Sequence, residues 1–256
     1  MSENDAPLSF GQQEIWLIEQ LAPGNTGYIA PYATMLVGDL DAAALEAAFT
    51  TIVARHDSLR TRFRPAATDG TPRQWVEPSA RCPLIRVDGP AIGADQRADF
   101  VQTFARSEAA RPFHLETDQL LRCYLICWSP REHTLLLLAH HIAVDTWSLT
   151  NLRHELEIAY NNDSRTVHKQ LPKLRIQYPE FARRQRDRLT PERIAGELDF
   201  WRGYLDGVPG VLNLPTDKRR PEIRTLNGDV LHLRLPLTVL DQARSIAIAS
   251  RSTPER

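Results

Sequence analysis

The chain has 256 residues, 42% of them hydrophobic and 25% charged, with a formal net charge of -1. That is enough apolar material for one large core or two small ones. It leaves no global field that would draw the chain to nucleic acid or to an anionic membrane. No apolar run reaches the length of a membrane span, no signal peptide follows the polar, acidic Met1–Asp5, and three cysteines are a sparse, odd set, so small core thiols in a reducing cytoplasm are expected.

Residues 32–37 read as a strand. Asp41 then N-caps a helix that carries Leu45, Phe49, Ile52 and Val53 at helical spacing. A second strand is expected over 58–63, a loop around 68–72 with its Asp-Gly-Thr-Pro sequence, and a short strand at 74–76. Residues 95–111 form a helix with Phe100, Val101 and Phe104 on its apolar side, ended by Pro112. Two strands, 120–128 and 134–139, are joined by a turn at 129–132. Cys123 and Cys127 would lie about 13 Å apart along the first of these, too far for a disulfide. Residues 161–173 are polar and aperiodic and read as a linker. Helices follow over 178–189 and 194–205, the latter with Leu198, Trp201, Tyr204 and Leu205 on one side, then a break at 207–210, a strand at 230–235 and a helix at 237–248. Interleaved strands and helices favour an α/β or α+β layered fold.

The chemistry concentrates at His140-His141-Ile142-Ala143-Val144-Asp145-Thr146-Trp147-Ser148, where the apolar strand ends and helical spacing begins. Successive strand residues point to opposite faces, so only one of the two histidines can face a given cavity. A metal site lacks a third and fourth ligand at suitable spacing. A hydrolytic triad with Ser148 lacks a nucleophile elbow, and no glycine loop for phosphate is present. Arg183, Arg184, Arg186 and Arg188 form either a basic docking face or a solvated helix face.

Six segments in order carry a family resemblance. Residues 140–148 resemble the HHxxxDG signature of condensation domains in nonribosomal peptide synthetases. Leu8-Ser9-Phe10-Gly11-Gln12-Gln13-Glu14-Ile15-Trp16 resembles that family's opening motif, and Arg55-His56-Asp57-Ser58-Leu59-Arg60-Thr61-Arg62-Phe63 its RHExLRTxF motif. Arg111-Pro112-Phe113-His114-Leu115 with Leu120-Leu121-Arg122, Tyr178-Pro179-Glu180-Phe181-Ala182, and Phe200-Trp201 with Leu214–Pro221 supply the others. The chain departs from the pattern at Glu14, where arginine is usual, at Thr146, where glycine is usual, and at Arg183-Arg184, which replace an apolar pair.

The resemblance implies a chloramphenicol-acetyltransferase-like lobe, a mixed sheet flanked by helices, over 1–173. Residues 174–256 are then linker helices and the start of an incomplete second lobe. It implies amide formation between a donor acyl or peptidyl thioester and an acceptor aminoacyl thioester, each on a carrier protein. The expected partners are those carrier domains and other synthetase domains, with no nucleic acid, membrane or metal. No cofactor is expected beyond the phosphopantetheine that tethers the substrates. His141 is the expected catalytic base or orienting group and His140 is structural. Asp145 holds the loop by pairing with Arg60 or, second, Arg55. Ser148, Trp147 and Gln12 are expected to support the site. The alternative is a non-catalytic recruitment module of the same fold.

Overall fold

The computed structural model describes residues 5–67, 69–79, 81–162, 167, 170–212, 214–219, 233 and 235–253. Contacts divide the chain into two units, Met1–Thr216 and Asp217–Arg256.

The first unit is built on two sheets. A four-stranded sheet runs in the order β2 (Ile29–Val37), β7 (Glu132–His140), β6 (Leu121–Ser129), β5 (Leu84–Asp88). Its pairs are antiparallel except β5 with β6, which are parallel and connected through helix α3 (Arg97–Ala109). The mixed sheet flanked by helices is the expected fold class. A three-stranded antiparallel sheet, β1 (Asp5–Pro7), β4 (Pro72–Val76), β3 (Thr61–Pro65), lies in the order β1-β4-β3. The strand expected from residue 58 begins only at Thr61. Asp57–Arg60 instead make one 3-10 turn, closed by the Thr61 hydroxyl donating to the Asp57 carbonyl at 2.7 Å.

The sequence 134–140 is apolar without alternation because β7 is a central strand covered on both faces. Leu135, Leu137 and Ala139 enter a core shared with α2 (Ala42–Arg55) and α4 (Thr146–Tyr160), around Phe49, Ile52 and Leu152. Leu136 and Leu138 enter a second core with Phe63, Phe113, Leu120 and Tyr124. Helix α2 starts where expected, with Asp41 Oδ1 accepting from the Ala43 and Ala44 amides. Local pattern alone predicts no element over 5–7, 10–21 or 84–88; β1, α1 (Phe10–Leu21) and β5 fill these stretches. Cys82 and Cys123 are buried core thiols with their sulfurs 3.2 Å apart, and burial pushes the Cys123 thiol well above its ordinary range.

The expected division at 173/174 falls inside the first unit. Helix α5 (Tyr178–Arg188) is tied to the N-terminal segment: Gln185 Oε1 accepts from the Phe10 amide at 2.9 Å, and the Ser9 and Tyr178 hydroxyls are 3.1 Å apart. The basic face of α5 is part of this tie. Arg186 donates to the Leu8 carbonyl at 2.9 Å and lies over the Phe10 ring, and Arg183 donates to the Asp5 carbonyl. Arg184 bonds Glu180 on its own helix. Helix α6 (Pro191–Tyr204) buries none of its residues, and Phe200, Trp201 and Tyr204 contact one another in solvent.

In the second unit, α7 (Leu237–Ala249) buries only Ala247 and exposes Leu237, Ile246 and Ile248. The strand expected over 230–235 lies outside the described residues but for Leu233 and Leu235. No helix among the described residues is long and apolar enough to cross a membrane.

Candidate active site

The end of β7 sorts the two histidines by strand alternation. His140 continues the row of Leu136 and Leu138 into the second core, with its whole side chain buried at 2% exposure. Phe113 meets its ring edge-on at 6.1 Å between centroids. His141 is exposed, and its backbone amide donates to the Tyr28 carbonyl at 2.8 Å.

The chain beyond β7 is wound around His140. The Ile142 amide donates to His140 Nδ1 at 3.2 Å, and the Ala143 and Val144 amides donate to the His140 carbonyl at 2.9 and 3.3 Å. An amide N–H can only donate, so Nδ1 carries the lone pair and the ring proton sits on Nε2. That atom is 3.4 Å from Oε1 of Glu19, a buried carboxylate on α1.

Asp145 closes the turn as the N-cap of α4. One carboxylate oxygen, Oδ1, accepts from the Ser148 amide at 2.7 Å and from the Ser148 hydroxyl at 2.5 Å. These bonds hold the Asp145 carboxyl below its ordinary range, with a smaller contribution from His141. The residue is exposed, so the carboxylate is held by local bonds at a helix N-terminus rather than by burial. Trp147, in the first turn of α4, is 74% exposed.

The expected pairing of Asp145 with Arg60 or Arg55 is replaced by these bonds. Arg60 pairs with Asp57 at 2.6 Å and donates to the Glu77 carbonyl. Arg55 donates to Glu155 of α4 at 3.1 Å and to the Pro172 carbonyl. The physical reason is local: Ser148 lies three residues after Asp145, the spacing at which an N-cap side chain meets a free helical amide. Gln12 is also used elsewhere. It completes a capping box with Ser9 and exchanges amide hydrogen bonds with Gln74. The structure therefore joins His140, His141, Asp145 and Ser148 in one turn, with Trp147 beside it, and leaves Arg55, Arg60 and Gln12 as braces of other segments.

Sequence reasoning does not single out Glu19, Tyr28 or Glu155. Glu19 carries a signal: it lies seven residues after Gln12, on the same stripe of α1 as Ile15 and Trp16, where an acid needs a partner. Among the described residues no group of His, Cys, Asp or Glu is arranged to hold a metal ion.

A model of the condensation-domain family matches residues 2–255. The chain belongs to the condensation-domain family. One component of the linear gramicidin synthase of Brevibacillus parabrevis is 35% identical to this condensation domain over 241 residues, 94% of the chain and 5% of the relative. Phosphinothricin tripeptide synthetase PhsC of Streptomyces viridochromogenes is 32% identical over 252 residues, 98% of the chain and 23% of the relative. Among solved structures, the X-domain from teicoplanin biosynthesis superposes with a TM-score of 0.79 at 27% identity, covering 99% of this chain and 54% of that one. The starter condensation domain of rhizomide synthetase RzmA shares the fold, with a TM-score of 0.65 at 20% identity over 81% of this chain and 49% of that one. This condensation domain thus spans about half the length of those solved structures and a quarter or less of the two synthetases.

Proposed function

We propose that this chain supplies the histidine-bearing half of a condensation site that forms an amide between two carrier-bound thioesters in nonribosomal peptide synthesis. The observation that carries the reading is the division of labour between the histidines. His140 has both ring nitrogens occupied inside the core, and His141 stands exposed at the turn, free to meet a substrate.

The reaction asks little of the protein. The acceptor's α-amine attacks the donor thioester carbonyl, a C–N bond forms, the C–S bond breaks and the sulfur leaves on the donor's pantetheine. An α-amine titrates near about 8, so a large fraction is protonated at neutral pH. Most of the acceleration comes from holding two tethered reactants together. His141 removes the proton from the attacking ammonium or orients the amine for attack. Asp145 works at one remove, by capping α4 and so closing the turn that presents His141. The substrates arrive on phosphopantetheine arms, so the partners are a donor and an acceptor carrier domain within a cytoplasmic synthetase, and no further cofactor takes part.

The test is dipeptidyl transfer between two loaded carriers by the parent synthetase carrying His141→Ala. The expected result is loss of transfer with an unchanged melting curve. Transfer at the wild-type rate by the folded variant overturns the assignment. A second reading, a recruitment module without chemistry, draws on Thr146 at the usual glycine position and on the similarity to the X-domain, which has been solved in complex with OxyB. An inactive wild-type parent that still binds a partner protein would support it.

A further inference from the structure

We propose that Glu19 is a positioning residue: through His140 it sets the turn that presents His141. The inference rests on the proposed condensation chemistry for its consequence, but its structural part stands alone.

The turn has a chain of dependence. His141 is followed by Ile142, whose amide is bonded to the His140 ring at Nδ1. That bond exists only while Nδ1 is bare. In a neutral imidazole the proton must then be on Nε2, and a buried N–H needs an acceptor. Glu19 Oε1 is the acceptor in reach, 3.4 Å away, and both side chains are at most 8% exposed. Phe113 and Tyr28 flank the ring as aromatic neighbours. Take the acceptor away and the ring faces two poor choices. It keeps an unsatisfied Nε2–H in the core, or it moves the proton to Nδ1, where two N–H groups collide and the Ile142 bond is lost. Either way the turn that leads from β7 to α4 is no longer anchored to its first residue. Glu19 touches no substrate in this scheme, so its effect is on where His141 points.

A carboxylate is not itself required; an oxygen at that position is. Glu19→Gln keeps a carbonyl oxygen to accept from Nε2, whereas Glu19→Met keeps the volume and removes the acceptor.

Two readouts separate this from simple packing. The first is histidine side-chain 15N–1H NMR on the 256-residue chain, with the His140 signals identified by their absence in His140→Asn. Wild type and Glu19→Gln should show a single form, protonated at Nε2 and bare at Nδ1. Glu19→Met should lose that single form. The second is the rate of dipeptidyl transfer in the parent synthetase. Glu19→Met should lower kcat about tenfold to a hundredfold, the range reached by partners that orient functional histidines at metal sites, with KM for the loaded carriers unchanged. Glu19→Gln should restore the rate. If Glu19→Met does not fold, Glu19→Asp, which withdraws the oxygen by one methylene, repeats both measurements. A His140 protonated at Nδ1 in wild type, or an unchanged ring signature in a folded Glu19→Met protein, overturns the proposal. Wild-type transfer by Glu19→Met overturns the positioning role and leaves the condensation reading intact. If no protein transfers, wild type included, the condensation reading fails and the ring signature still decides what Glu19 does.

Discussion

Replacing Asp145 by alanine tests how the turn is held. The side chain gives α4 its N-cap: one oxygen serves the Ser148 amide at 2.7 Å and the Ser148 hydroxyl at 2.5 Å. Loss of such a cap costs about 1 kcal/mol, within a range of about 0.5–2. The residue is exposed, so no further ion-pair contribution is added. For a domain of this size about 1 kcal/mol lowers Tm by about 2–4 °C. Asparagine and serine are good caps, so Asp145→Asn should retain most of the stability. The sign with pH follows from the depressed carboxyl of Asp145. The ionised cap contributes fully above the unfolded aspartate value of about 3.9, and the contribution is lost as pH falls through the lower folded value. Circular-dichroism melts of the single and double variants make the test. Asp145→Ala should couple to Ser148→Ala, whose hydroxyl it binds, and should be additive with Arg60→Ala to within about 0.5 kcal/mol. Coupling to Arg60, or an asparagine variant as damaged as the alanine one, would refute the capping argument.

Two further changes test the frame behind the site. Glu155 accepts from His56 at 2.6 Å and Arg55 at 3.1 Å; burial pushes its carboxyl up, but those two partners outweigh it and hold it below its ordinary range. Glu155→Gln should therefore cost about 1.5–3 kcal/mol at neutral pH in urea titrations, and the deficit should shrink as pH falls below the unfolded glutamate value of about 4.3 and through the depressed one. A deficit that stays constant from neutral pH into acid would remove charge from the explanation. A methyl group on Gly89 would lie 2.5 Å from Cε3 of Trp128 and 3.0 Å from the Cys127 carbonyl. Trp128 is pinned by its indole N–H to Thr134 at 2.9 Å, so Gly89→Ala should destabilise by about 1–3 kcal/mol; an unchanged midpoint would mean that the ring can yield.

Much of the layered fold was legible in the sequence because long periodic elements announce themselves. The helix at 42–55 followed from Asp41 and its apolar spacing, and the strands at 121–129 and 132–140 from uninterrupted apolar runs. The strand at 84–88 was hidden because it is short and its burial does not alternate cleanly. Helix α1 was legible only as a motif, since its buried positions include Gln12 and Glu19, which look like surface residues until their partners are known. The site divided in the same way. Strand alternation at 140 and 141 sufficed to separate the two histidines, whereas the holder of Asp145 did not follow from it. A long-range arginine pair fits a buried aspartate, and the structure has an exposed one served by a serine three residues on. Local capping was open to a sequence argument and lost to an analogy. Glu19 lies 121 residues from His140, and no local pattern reports such a meeting.

The position of β7 between two cores limits how a site of this kind can diversify. Every residue from His133 to His140 on that strand is buried, with its neighbours on either side already filled. A change of volume there is felt as lost stability before it can be felt as altered choice of substrate. Room for adaptation begins where the strand stops, at the exposed residues His141 and Asp145–Trp147, whose side chains have no packed layer above them. A library aimed at new acceptors or donors should hold 133–140 fixed, keep His141 and a capping residue at 145, and vary 146 and 147, where the inventive part of the sequence can move without disturbing the conservative one.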